Sequence, residues 1–236
     1  MPPETRPSGM VLSLMALAAV VCVVAFMTWG SRGNWSFVLP FRGTKLLALV
    51  LVAYAIAVST VLFQTITNNR ILTPAIMGFD WLYMLLQTLL VFGLGAATTS
   101  AIDPRWMFLI EVGTMTGFSL ILYRFLFSGG VRDLHLLILI GVVFGTLFRS
   151  LSGFLQRLID PNDFVVLQDR LFASFNTIDA SLLLVSAVLV GLASLGALKI
   201  FHTLDVMALG RETAISLGVD HRRITMIVLI LVTVLV

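Results

Sequence analysis

Apolar residues in this chain do not alternate with polar ones but run in long, nearly unbroken blocks separated by short polar segments. Six blocks, Met10–Thr28, Leu46–Ile66, Trp81–Thr98, Trp106–Phe127, Leu134–Leu155 and Ala180–Leu198, each approach the roughly 20 residues a helix needs to cross a hydrocarbon layer of about 30 Å. A seventh begins near Ile224 and the sequence stops inside it at Val236, short of a full crossing, which reads as the N-terminal piece of a longer membrane protein. Only helices and closed barrels carry backbone through lipid, and runs this continuous favour helices over the weak alternation of barrel strands. The expected fold is all-α. It is a polytopic transmembrane helical bundle, one domain over residues 1–236, with six complete spans and a truncated seventh. The first block, preceded by Arg6, also has the outline of a secretory signal peptide. Its length and the absence of an A-x-A-like site at Trp29-Gly-Ser-Arg32 favour a retained helix.

Composition agrees. The chain is 59% hydrophobic and only 11% charged, against about a quarter charged in an ordinary soluble domain, so there is too little polar surface to coat a globule. The formal net charge of +3 sits in loops and gives no reason to expect a nucleic-acid partner. Cys22 stands alone in an apolar run, and His135, His202 and His221 are scattered. Neither a disulfide framework nor a metal or cofactor site is expected.

Basic residues in short loops set orientation. With the N-terminus inside, the inner set is Arg6, Arg70, Arg124, Arg132, Lys199, Arg211, Arg222 and Arg223, and the outer set is Arg32, Arg42, Lys45, Arg105, Arg157 and Arg170. The densest basic stretch, Lys199 to Arg223, then faces the cytoplasm, while Asp160, Asp163, Asp169 and Asp179 fall outside.

Several features stand out from the apolar pattern. Gln64 to Phe79 joins the second and third spans with Asn68, Asn69, Thr73, Pro74 and Gly78. Pro74 disfavours helix at Thr73 and Gly78 permits a sharp change of direction, so this is either non-helical backbone supported by amide side chains at the edge of a transport path or a plain polar turn. Glu111 and Arg149 lie inside the fourth and fifth spans at comparable depth, where charges are expensive and are usually paired or face a cavity. They either form an ion pair on a substrate path, or Arg149 snorkels outward while Glu111 is protonated or bonded locally. In Asp160–Asp179, Phe164, Leu167, Leu171, Phe172 and Phe175 recur at spacings of three and four. That is an amphipathic surface helix, expected more to seal a loop against its own bundle than to dock a partner. Gly113-x-x-x-Gly117 and Gly141-x-x-x-Gly145 present small residues for close helix packing, either in a transport core or as ordinary packing.

The last is the insert Leu204–Asp220, followed by His221, Arg222 and Arg223. Too short for a domain and too patterned for a loop, it is split by Gly210 into two short helical pieces, with Gly218 placed as a C-terminal cap. Its second piece sets polar Arg211, Glu212 and Ser216 among apolar Ala214, Ile215 and Leu217. A helix this short is marginal by itself, so it rests on its own bundle or on a partner.

Met207-Ala-Leu-Gly-Arg-Glu-Thr-Ala-Ile-Ser-Leu-Gly-Val219 resembles the cytoplasmic coupling-helix motif of FecCD-type permeases, the membrane subunits of ATP-binding-cassette importers for iron-siderophores, haem and vitamin B12. Asn69-Arg-Ile-Leu-Thr-Pro-Ala-Ile-Met-Gly78 departs from that family's Asn-Pro-Leu-Ala…Gly pattern and is closer to its catecholate-siderophore branch. The resemblance covers the chain in span order, although the family usually has ten spans. It implies a ferric-siderophore permease of the bacterial inner membrane, not an enzyme. The partners it implies are two cytoplasmic ATP-binding subunits, a second permease copy or relative, and an extracytoplasmic substrate-binding protein. Leu209, Gly210, Arg211, Glu212, Ala214, Leu217 and Gly218 would couple to the ATPase. Gln64, Asn68, Asn69, Pro74, Gly78, Glu111 and Arg149 are candidates for the translocation path. Haem or cobalamin are alternative cargoes. Half of an ion-coupled secondary transporter is the competing class, weakened because Glu111 is the sole acid well inside a span and such proteins use embedded carboxylates and broken helices. A membrane enzyme would need an HExxH or a paired nucleophile and base, and none stands out. A structural or sensory membrane protein would leave the insert unexplained.

Overall fold

The computed structural model describes residues 8–30, 35–128, 134–172 and 178–236, with side chains from Gly9 onward except Phe37 and residues 122–128 and 134–138. Arg6, Arg32, Arg124 and Arg132 of the orientation sets, His135, and Phe175 of the amphipathic segment lie outside these. Every regular element among the described residues is helical. The chain divides into two units, residues 1–50 with 175–178, and residues 51–174 with 179–236.

In the first unit α1 (Ser8–Thr28) ends under the guanidinium of Arg42, whose Nη1 donates to the carbonyls of Phe26 and Trp29 at 2.7 Å each. A cation bonded to the last carbonyls satisfies the acceptors a helix end leaves over. Arg42 belongs to α2 (Trp35–Thr67), which starts well before the apolar block at Leu46. Arg42 and Lys45, expected in an outer loop, therefore lie within the helix. Pro40 lies inside the helix, past its first turn, so it supplies no N–H to the ladder there, and Lys45 folds back over the Phe41 ring at 4.2 Å.

The second unit follows with a 3-10 turn, Pro74–Met77, then α3 (Phe79–Ala101), α4 (Pro104–Ser128), α5 (Leu134–Gln156), α6 (Pro161–Leu171), α7 (Ala180–Lys199), α8 (Phe201–Met207), α9 (Arg211–Ser216) and α10 (His221–Leu235). Among the described residues α1, α2, α3, α5 and α7 are long and apolar enough to cross a membrane. Aspartates start several helices. Asp160 accepts from Asn162 N–H with Pro161 at the first helical position, Asp179 from Ser181 N–H, and Asp220 from Arg223 N–H. Such caps satisfy otherwise orphaned donors. Paired hydrogen bonds from the Ser181 hydroxyl and N–H hold the Asp179 carboxyl below its ordinary range.

Neighbours in sequence are not the main neighbours in space. α3 packs chiefly on α5, and α10 lies against both α4 and α7. One cluster runs from Phe63 and Ile66 of α2 through Met77 and Phe79 to Ala193 of α7, Met207 of α8, Ala214 of α9 and Val228 of α10. A smaller one seats the fully buried Leu167 of α6 on Val91 and Ala96 of α3, with Phe164 and Leu171 beside it. The amphipathic segment thus seals its own bundle, while Phe172 is 77% exposed. α3 is also broken at Gly95 (φ 77°, ψ 156°), inside a block that reads as one uninterrupted span.

Candidate functional site

The insert is built from short-range rules. α8 follows α7 after only Ile200, and at Gly210 the chain turns through φ 98°, ψ 160°, a region open essentially to glycine alone. After one and a half turns α9 closes in a Schellman motif. Gly218 (φ 84°) donates its N–H to the Ile215 carbonyl, and Val219 donates to that of Ala214, both at 3.0 Å. This is the arrangement that glycine after a helix end favours, and the cap expected at Gly218 is present.

The two faces of α9 differ sharply. Ala214 is fully buried and belongs, with Leu204 and Met207 of α8, to the main core. Leu209, Ile215 and Leu217 are at least half exposed, and Leu209, Gly210, Arg211, Glu212, Thr213 and Ile215 line an open hollow of about 560 Å³. The insert is rooted on one side and presents apolar side chains on the other. Below it, His221 is buried at the first turn of α10, its Nδ1 3.4 Å from the Thr225 hydroxyl. Burial first, then the positive Arg211 nearby, lower the pKa of His221.

The candidates on the α2–α3 connection are brought to the same end of the unit. α2 ends in a second Schellman motif: Asn68 (φ 48°) donates its N–H to Thr65 and Asn69 donates to Gln64. The Gln64 amide donates to the Arg70 carbonyl at 2.8 Å, and Asn69 Oδ1 accepts from Ile71 N–H at 3.0 Å. These amides therefore support non-helical backbone, one of the two roles open to them. Thr73 contributes no capping side-chain bond. Asn68 Nδ2 reaches the insert, lying 3.7 Å from where a Cβ on Gly210 would be. Pro74 and Gly78 are buried, and Gly78 sits directly on α5, the position of its missing Cβ falling 2.8 Å from Gly145 Cα and 3.0 Å from the Gly141 carbonyl oxygen. The α5 glycine pair therefore packs on a turn rather than on a helix. Gly113 and Gly117 face open space.

Glu111 and Arg149 do not form an ion pair. Gln87 Nε2 of α3 donates to Glu111 Oε1, and the Arg149 guanidinium stacks 4.8 Å from the Trp81 ring, also on α3. The pairing expectation treated α4 and α5 as adjacent, whereas α3 is the main partner of α5 and takes both charges. Of the two alternatives, the local hydrogen bond holds for Glu111. Sequence reading missed Gln87, whose polar side chain in an apolar block was the available signal. It also missed the break at Gly95, foreshadowed by Gly93-Leu-Gly95.

Membrane-length helices carrying one anchored insert with an exposed apolar face define a polytopic membrane permease. The chain belongs to the FecCD transport family, which matches residues 8–236. It is 46% identical over 227 residues to the petrobactin import system permease protein YclO of Bacillus subtilis (strain 168), covering 96% of this chain and 72% of that one. It is 36% identical over 197 residues to the petrobactin import system permease protein FatC of Bacillus anthracis, covering 82% and 55%. A solved inward-facing metal-chelate type ABC transporter shares the fold with a TM-score of 0.76 at 22% identity, over 96% of this chain and 72% of that one.

Proposed function

We propose that this permease carries a ferric siderophore through the inner membrane of a bacterium, driven by separate ATP-binding subunits that grip α8 and α9. The carrying observation is the two-sided insert, with Ala214 locked into the core, Leu209 and Ile215 lining an open hollow, and Leu217 exposed beside them. An amphipathic helix docks by laying its apolar face into a partner's groove, and the exposed apolar side chains of this rooted helix supply such a face. The similarity to two petrobactin permeases supports the cargo. In this reading the N-terminus and the insert face the cytoplasm, a substrate-binding protein docks on the opposite side, and a second permease completes the pathway. α5 leaves Thr146, Arg149 and Ser150 exposed along an otherwise apolar span. Because a charge facing lipid at such depth is costly, that face is assigned to the pathway.

The test is co-purification of the ATP-binding subunit with wild type, Leu217→Asp and Glu212→Lys, together with uptake of radiolabelled iron. Loss of an interface anchor removes about 2 kcal/mol or more of binding, so both variants should lose partner and uptake while remaining folded. Retention of both by Leu217→Asp would sink the assignment. Competition by excess haem or cobalamin, but not by ferric catecholate siderophore, would overturn the cargo alone.

A further inference from the structure

We propose that the connection between α2 and α3, Asn68–Gly78, is the mechanical link through which the insert moves α5. The proposal rests on the reading of the insert as the ATPase grip and assigns what that grip pulls on. At one end, Asn68 is held in a left-handed conformation by the Schellman motif, and its amide nitrogen lies 3.7 Å from where a Cβ on Gly210, the hinge between α8 and α9, would be. At the other end the contact is backbone on backbone. A Cβ on Gly141 would fall 2.8 Å from Met77 Cα, and one on Gly145 would fall 3.2 Å from Gly78 Cα. No flexible side chain lies between the turn and α5 to absorb a displacement, and packed interiors transmit strain rather than dissipate it.

Between these ends Asn68, Arg70, Ile71 and Thr73 are exposed, and the link is held by the buried Pro74 and Met77. Met77 has no exposed surface and shares one cluster with Leu204, Met207 and Ala214 of the insert. Beyond the turn, Trp81 lies 3.4 Å from where a Cβ on Gly145 would be, and the same ring carries Arg149. Arg149 is one helical turn past Gly145, about 6 Å along α5. A shift of Gly210 is therefore handed through Asn68 and the 3-10 turn to the glycine pair, and so to the exposed polar face of α5.

The experiment uses the assembled transporter in proteoliposomes, with its ATP-binding subunit and binding protein. It measures subunit co-purification, ATP hydrolysis and ferric-siderophore transport for Gly141→Ala, Asn68→Gly and Gly113→Ala. Asn68→Gly keeps the left-handed cap, which glycine adopts freely, and removes only the side chain that lies beside the hinge. It therefore remains informative if Gly141→Ala fails to fold. Both link variants should retain the ATP-binding subunit and hydrolysis, while transport per ATP falls roughly 5-fold or more, the scale of ordinary coupling energies. Gly113→Ala, whose Cβ meets open space, should match wild type. An unchanged transport-to-hydrolysis ratio in Asn68→Gly, or an equal fall in Gly113→Ala, would overturn the link while leaving the docking reading intact. Failure of the wild-type chain to retain the ATP-binding subunit would instead overturn the docking reading.

Discussion

Replacing Gly95 by alanine tests whether the break in α3 is locked by its surroundings. A Cβ there would have Asp163 Oδ2 as its nearest non-local neighbour at 3.8 Å, ordinary contact, so the substitution adds no clash. What remains is backbone strain. At φ 77°, ψ 156° a residue other than glycine costs on the order of 1–3 kcal/mol. The variant has one escape, which is to straighten α3 and recover up to about 1 kcal/mol of helix preference for Ala over Gly. Straightening would swing Ala96–Ala101 away from α6, uncovering the fully buried Leu167 and breaking the 3.0 Å bond from Arg170 to Ser100. Uncovering one leucine costs about 1.5–3 kcal/mol, more than the helix preference returns. Straightening also relieves the strain, so both routes are open and each leaves the variant destabilised. The cost is about 1–3 kcal/mol if the break persists, and the lost leucine contact less the helix preference if it does not. With roughly 2–4 °C of melting temperature per kcal/mol for a chain of this size, Gly95→Ala should melt several degrees below wild type in detergent. Gly93→Ala is the control. It sits in regular helix facing open space, so it should be unchanged or stabilised by about 0.5–1 kcal/mol. If Gly95→Ala melts at or above Gly93→Ala, the break is soft and α6 does not hold it.

Four further outcomes are expected. The pKa of His221 is lowered from 6.5 by burial and Arg211, so the unfolded chain binds the proton more readily. Its contribution is fully present above about pH 6.5 and is lost as pH falls toward its lowered folded value, and denaturation curves from pH 7.5 to 5 should show His221→Asn losing that part of the slope. Glu111 and Arg149 hold separate partners on α3, so Glu111→Gln and Arg149→Gln should add within about 0.5 kcal/mol, and swapping the charges should rescue nothing; a larger coupling in a double-mutant cycle would show a pair after all. Tyr54→Phe, which deletes the 3.1 Å bond to Ser194 between α2 and α7, should cost only about 0.6 kcal/mol, the average for such bonds inside membranes, read from unfolding in mixed detergent. Ala214→Leu should overpack the root of α9 at about 1–3 kcal/mol, exposing the insert to limited proteolysis, whereas Ile215→Leu on the outer face should leave it protected.

How much was legible in the sequence depends on the range of the interaction. The helices over Ala180–Lys199 and Leu134–Gln156 begin and end within a residue or so of their apolar blocks, because hydrocarbon thickness sets length and composition sets which residues qualify. The insert and its glycines at 210 and 218 were legible for a similarly local reason, since glycine adopts those backbone angles most readily. Pairing of helices was not. Nothing in the order of spans says that α5 turns to α3 rather than α4, and that single fact redirects both Glu111 and Arg149. Nor could a glycine pair announce its occupant. Gly113/Gly117 and Gly141/Gly145 have the same spacing, yet one faces open space and the other receives the Pro74–Gly78 turn.

The insert also shows why marginal elements can carry force. α9 spans Arg211–Ser216, far below the ~12–15 residues at which an isolated helix becomes even marginal in water. A frayed segment pulled by a partner would extend and absorb the movement. Here three constraints act on it at once: the Gly218 cap at its end, Ala214 in the core at its middle, and Asn68 against Gly210 at its start. Removing any one leaves a helix that can rotate or melt locally, so each should weaken coupling without a matching loss of partner affinity, whereas substitutions at Leu209 or Leu217 should do the reverse. That separation between anchoring and gripping residues follows from one short helix having one buried face and one open face.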